Sequence, residues 1–130
     1  MAEVLTPDIC VIGAGSGGLS VAAACAAFGV PTVLIEKNKM GGDCLNFGCV
    51  PSKALLMAGK TAAAMRQASK FGIADADPQI NFGRVSDHVQ GVIAAIAPND
   101  SVERFTGMGV KVLAAAAVFI GVPTLVTGYY

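Results

Sequence analysis

The chain has no tryptophan, a single histidine and only 14% charged residues. His88 is that one imidazole, and no acid or nucleophile is placed near it by sequence, so a histidine-based catalytic centre is poorly supplied. Nine basic residues balance nine acidic ones. Without a basic excess, nothing points to nucleic acid or an anionic membrane surface as partner. Long unbroken hydrophobic runs are also missing. Residues 9–35 are interrupted by Gly13, Gly15, Gly17, Gly18, Gly29 and Pro31. Residues 112–126 are too few to cross a hydrocarbon core of roughly 30 Å, and they contain Gly121 and Pro123. No basic segment precedes an apolar one at the N-terminus, so no secretory signal is read and a cytoplasmic location is expected. In that compartment close cysteines are better read as catalytic than as a structural bridge.

What the chain does have is apolar and small. Of its 130 residues, 54% are hydrophobic, and the mean hydropathy is +0.63. That length suffices for one domain with a core. A surface so poor in charge is expected to be covered in part by other protein.

Residues 8–13 (D-I-C-V-I-G) form a short apolar, β-branched run that predicts a buried parallel strand. They lead into Gly13-Ala14-Gly15-Ser16-Gly17-Gly18, which satisfies G-x-G-x-x-G. Residues 19–28 are alanine-rich and predict a closely packed helix, stopped by Gly29 and Pro31. Residues 32–35 predict a second buried strand, ending on Glu36. Strand, glycine turn, helix, strand and acid in this order point to a dinucleotide. Gly13 allows the tight turn, Gly15 lets the backbone approach a pyrophosphate, and Gly18 permits close packing of helix on strand. Free amides and the helix dipole would hold the phosphates, and Glu36 would accept from ribose hydroxyls. The turn alone does not separate FAD from NAD. Cys10 in the strand and Cys25 in the helix read as buried small hydrophobes without a chemical role.

Residues 40–53, M-G-G-D-C-L-N-F-G-C-V-P-S-K, concentrate the chemistry. Cys44 and Cys49 lie five positions apart. In an undistorted helix their Cα atoms would be about 8.5 Å apart, whereas a disulfide needs less than roughly 7 Å. If they bond, the chain between them is distorted, and Gly48 is the place for it. Val50 precedes proline and is biased away from helix. Pro51 suits the first position of a following helix, which puts Cys49 at or just before a helix N-terminus, where the dipole favours a thiolate. A static bridge or half of a metal site are the alternatives; two thiols and a distant His88 make a poor zinc site, and no metal is expected. Lys53 follows within the first turn and is the one charged residue between Asp43 and Lys60. It reads either as an ordinary surface lysine or as a buried cation, which would stabilise negative charge on an electron-accepting ring.

Beyond it, residues 52–71 predict a long helix and 72–80 a loop. A second helix is expected from Asn81 or Phe82 to about Ala97, with Val85, Val89, Val92, Ile93 and Ile96 as its buried stripe. Pro98-Asn99 breaks it, and Asp100 or Ser101 caps a short helix through Phe105. A third strand is expected over 110–115, then a hairpin of 116–120 and 124–127 around residues 121–123.

On the motif of residues 41–53, the glycine turn and Glu36, the chain resembles the FAD-binding N-terminal part of the class I pyridine nucleotide-disulfide oxidoreductases. Residues 96–110 look most like the dihydrolipoamide dehydrogenase/mercuric reductase-like branch. The resemblance implies an α/β, Rossmann-like FAD-binding domain: a parallel sheet with helices and a small antiparallel hairpin, truncated. It implies FAD held by Gly13, Ala14, Gly15, Ser16, Gly18, Glu36, Lys37, Gly42 and Asp43, together with Cys44, Cys49 and Lys53. It makes Cys49 the thiol facing the flavin, able to form a charge-transfer pair with it. Cys44 becomes the interchange thiol that meets the disulfide substrate, and Lys53 sits near the reactive flavin nitrogen. Electrons would pass between NAD(P)(H), FAD and the Cys44–Cys49 disulfide to a small dithiol/disulfide substrate. Dihydrolipoamide dehydrogenase is the expected activity, with a mercuric reductase or glutathione reductase-like enzyme as the alternative and a non-catalytic dinucleotide-binding module as the alternative of another class. The family continues with a strand ending in A-T-G, an NAD(P) domain and an interface domain that supplies a His–Glu pair to the partner subunit of a homodimer. None of these is found here. Residues 1–130 are therefore expected to be the N-terminal portion of the FAD-binding domain and inactive alone.

Overall fold

The computed structural model describes residues 4–120 and, as backbone, 125–128. The strand anticipated at the start of the chain is β1 (Ile9–Ile12), but only Val11 of it is buried, contrary to expectation; the second, buried as expected, is β2 (Thr32–Glu36). Between them runs α1 (Ser16–Ala27). It begins three residues earlier than the apolar pattern implied, because Gly15 serves as N-cap and its carbonyl accepts from Leu19 N–H at 2.9 Å. β3 (Lys111–Ala114) joins the far side of β2, giving a parallel sheet in the order β1-β2-β3. Register pairs Val11 with Leu34 and Leu34 with Val112, so these point to one face. There they pack with Leu19 and Ala22 of α1 and with Phe105. Thr32–Ile35 are buried, and Leu34 is 0% exposed, as the central strand of a two-sided sheet requires.

The chain leaves β2 through α2 (Gly42–Asn46), α3 (Cys49–Arg66), α4 (Phe82–Ile96) and α5 (Val102–Gly107) before returning as β3. The long helix expected over 52–71 starts at Cys49 and ends at Arg66; Ala68–Phe71 form a separate 3₁₀ turn. Pro51 is thus the third helical residue, not the first. It is tolerated because first-turn N–H groups need no helical acceptor and residue 47, four back, lies outside the helix. The following loop is tied by Ser69 N–H and Oγ to Asp75 (2.6 and 2.9 Å) and by Arg66 to Asp77. Asn81 caps α4 through its side chain, accepting from Arg84 N–H. The apolar stripe of α4 is present, but Val85, Val89, Val92, Ile93 and Ile96 are only half-buried. Pro98 and Asn99 fall in a 3₁₀ turn, Ala97–Asp100, and Ser101 rather than Asp100 caps α5.

β4 (Ala116–Phe119) and β5 (Leu125–Gly128) form the expected antiparallel hairpin, with Ala116 opposite Gly128. Residues 121–123, read as its turn, lie outside the described residues. Cys25 is half-buried, but Cys10 is exposed, contrary to expectation. β1 is an edge strand, and the face carrying Cys10 and Ile12 is left open at β1 while Ala115 and Ala117 cover Val33 and Ile35 of β2. Among the described residues no helix is long and apolar enough to cross a membrane.

Candidate functional site

At the carboxyl end of β1 the chain turns sharply at Gly13, whose φ of +97° is in a region that a side chain rarely adopts. Gly13 N–H donates to the Ile35 carbonyl (2.7 Å), which locks the turn to β2. Gly18 then lies hard against the turn: a Cβ there would stand 1.9 Å from the Gly13 oxygen and 3.2 Å from Val11 Cγ1. A Cβ on Gly15 would meet nothing within 4 Å. The turn therefore packs tightly inside and stays open outside. No side chain caps the N-terminus of α1, so its first amides are available to an anion.

Glu36 reaches this turn from β2. Its Oε2 accepts from Ala14 N–H at 2.6 Å and its Oε1 from Asn38 N–H at 2.7 Å. The acid is held by backbone amides at the rim of the phosphate cradle, and each oxygen keeps acceptor capacity for a ribose hydroxyl. Ser16 and Lys37 are exposed nearby in the chain. The open amides, the glycine approach and the fixed acid fit the phosphates and ribose of a dinucleotide.

The cysteine stretch sits directly on that cradle. Gly41 and Gly42 take left-handed conformations in succession (φ +83° and +55°), and a Cβ on Gly42 would lie 2.8 Å from Gly15 Cα. Asn46 Nδ2 donates to the Met40 and Gly42 carbonyls (3.0 and 2.8 Å), holding the start of α2 in shape. The helical path breaks at Phe47 and Gly48, where φ and ψ of Gly48 are −117° and −108°. A Cβ on Gly48 would be 2.9 Å from the Asp43 carbonyl oxygen, so α2 folds back closely on the start of α3. This is how residues five apart meet.

Cys44 is half-buried on α2, and Cys49 is exposed as the first residue of α3; both are free thiols. Hydrogen bonding to the Cys49 side chain, then burial, pushes the Cys44 thiol above its ordinary value, while the nearby Lys53 charge pulls the other way. Lys53, the fifth residue of α3, is exposed, not buried. Asp43 is exposed in the first turn of α2. His88 lies away from this group, on α4 beside an apolar groove between α3 and α4. No cluster of three or more metal-ligating side chains occurs among the described residues.

One part of the site had no signal in the sequence. A cavity of about 380 Å³ opens beside Cys44, and its wall includes Ser16, Ser20, Asp100 and Arg104. Asp100 reads only as a possible helix cap and Arg104 carries no reading, because nothing local shows that they line one cavity with residues of α1.

Comparison with known proteins agrees with this geometry. The family model described as "Pyridine nucleotide-disulphide oxidoreductase" matches residues 7–123. A dihydrolipoyl dehydrogenase of Bacillus subtilis is 39% identical over 90 residues, covering 69% of this chain and 19% of that protein. One from Halobacterium salinarum is 35% identical over 115 residues, covering 88% and 24%. A glutathione reductase of Yarrowia lipolytica is 44% identical over 79 residues, covering 61% and 17%. The chain thus spans about a fifth of the length of the curated relatives it matches. Among solved structures, the Cu(II) complex of the HOCl-induced flavoprotein disulfide reductase RclA from Escherichia coli superposes with a TM-score of 0.73 at 23% identity, covering 92% of this chain and 24% of that one. That likeness shows the fold.

Proposed function

This chain belongs to the pyridine nucleotide-disulphide oxidoreductase family, and from that premise we propose that residues 1–130 are the N-terminal, FAD-binding portion of a flavoprotein disulfide oxidoreductase that uses Cys44 and Cys49 as its redox couple. The observation that carries this is the contact of the two halves of the site: the helix bearing Cys44 starts with Gly42 packed on Gly15 of the phosphate turn. A cofactor held at that turn would extend past the cysteine pair. Gly13, Ala14, Gly15, Ser16 and Gly18 present the phosphate-binding backbone, and Glu36 takes the ribose. Bound FAD supplies the two-electron chemistry, and this chain orients the thiols against it.

The thiol chemistry balances within the pair. In the reducing direction the Cys44 thiolate attacks one sulfur of a small disulfide, forming a mixed disulfide and expelling a thiolate. The Cys49 thiolate then attacks Cys44 Sγ, closing the Cys44–Cys49 bond and releasing the second thiolate. The disulfide gains two electrons, the pair loses two, and the two thiol protons leave on the products. The reverse sequence oxidises a dithiol. Relatives named dihydrolipoyl dehydrogenase support that activity for the whole enzyme, and a glutathione reductase-like activity is the alternative. NAD(P)H is the partner redox cofactor in this reading. The G-x-G-x-x-G turn is assigned to FAD in this reading, and residues 1–130 alone are expected to give no NADH-driven disulfide reduction.

Titration with FAD followed by two-electron reduction tests the proposal. A long-wavelength absorption band that is absent in Cys49→Ser supports it. Bound FAD whose spectrum is indifferent to Cys49 overturns it.

A further inference from the structure

The cavity beside Cys44 lies between α1, α2, α4 and α5, and its only charged wall residues among those described are Asp100 and Arg104. They are held differently. Arg104 is exposed, donates from Nη1 to the Asn99 carbonyl, and lies over the Phe105 ring at 5.5 Å. Its cation stays on the cavity wall, with one of its donors taken by the Asn99 carbonyl. Asp100 is half-buried, and no hydrogen bond or ion pair to its carboxylate occurs among the described residues. Its Oδ2 stands 3.0 Å from the place a Cβ on Gly41 would take. Gly41 is the N-cap of the helix that carries Cys44. A half-buried carboxylate without a hydrogen-bond partner among the described residues is therefore fixed on the wall of the cavity into which Cys44 opens, with the Arg104 guanidinium exposed on the same wall. The remaining wall is apolar apart from the hydroxyls of Ser16 and Ser20.

From this placement we infer that Asp100 is a specificity-determining residue: it favours disulfides with cationic or N–H-donating ends, such as amines and amides, and disfavours those with a carboxylate near the S–S bond. The inference rests on the reading of Cys44 as the thiol that meets substrate. A sheltered charge is screened less than a fully exposed one, so it acts on any charged group brought into the cavity. The exchange itself is the balanced two-step reaction above and needs no further reactant.

The test uses the reduced chain and three small disulfides: cystamine (cationic), bis(2-hydroxyethyl) disulfide (neutral) and dithiodiglycolate (anionic). Rates of closure of the Cys44–Cys49 bond are measured for wild type, Asp100→Asn and Asp100→Glu. The neutral reagent serves as reference, because any general change in thiolate reactivity cancels in the ratios. Wild type is expected to prefer cystamine over dithiodiglycolate by roughly tenfold more than Asp100→Asn does at low ionic strength. Asp100→Glu should restore most of the preference, and added salt should shrink it in wild type. An unchanged ratio in Asp100→Asn overturns the role of Asp100 while leaving the redox pair standing. Failure of all three disulfides to close the pair in wild type overturns both.

Discussion

In the proposed reaction Cys44 is the attacking thiol, and it is held above the ordinary range chiefly by hydrogen bonding to Cys49. The thiolate is the attacking form, so a raised pKa moves the rise in reactivity to higher pH. Cys49→Ala removes the largest raising cause and should shift the pH profile of Cys44 alkylation downward. Lys53→Gln removes a cation that lowers the Cys44 value and should shift it upward. Mass-resolved alkylation rates across pH check both directions. These residues were visible in the sequence because G-G-x-C-L-x-x-G-C-V-P-S-K has few alternative uses. Cys10 was misread, since a strand pattern does not reveal which strand is the edge. Although the residue is exposed, partial burial pushes the Cys10 thiol above its ordinary value.

The element that positions the site is the β1–turn–α1–β2 unit, and its glycines are not equivalent. Gly18 touches the Gly13 carbonyl, so alanine there must push α1 off the turn. Gly18→Ala is expected to cost about 1–3 kcal/mol, as overpacked sites do, and to weaken FAD binding. Gly17 lies in the same helix with open space around it, and Gly17→Ala should raise stability by roughly 0.5–1 kcal/mol from helix propensity. Thermal unfolding of the two variants checks the contrast. The unit was legible because strand period, glycine spacing and terminal acid agree with one another. Helix ends were less so. Pro51 signalled a start at 51 or later, but Gly48 was free to cap the helix and place Cys49 within it. The pattern over 52–71 also ran through the break at Gln67, which depends on the Asp75 and Asp77 tethers of a later loop.

At the scale of the molecule, the sheet and helices were foreseen, whereas the surface was foreseen only as poor in charge. Periodicity marked the α4 stripe but not its half-exposure, which follows from packing mainly against α3, with α2 and the Ala97–Asp100 turn as smaller neighbours. Leu56, Met57, Phe71 and Phe82 are exposed around the α3–α4 pair. The cavity beside Cys44 depends on Phe105 of α5 meeting Leu19 and Ala22 of α1 in one core cluster, a tertiary event without a local signature. At this scale the proposal is that Cys44 and Cys49 form one reversible couple next to a dinucleotide cradle. Peptide mapping after mild oxidation with diamide, followed by dithiothreitol, tests it most directly. The account predicts a single Cys44–Cys49 linkage, with Cys10 and Cys25 still free, and return of both thiols on reduction. Cys44 and Cys49 left as thiols, or linked instead to Cys10 or Cys25, would contradict it.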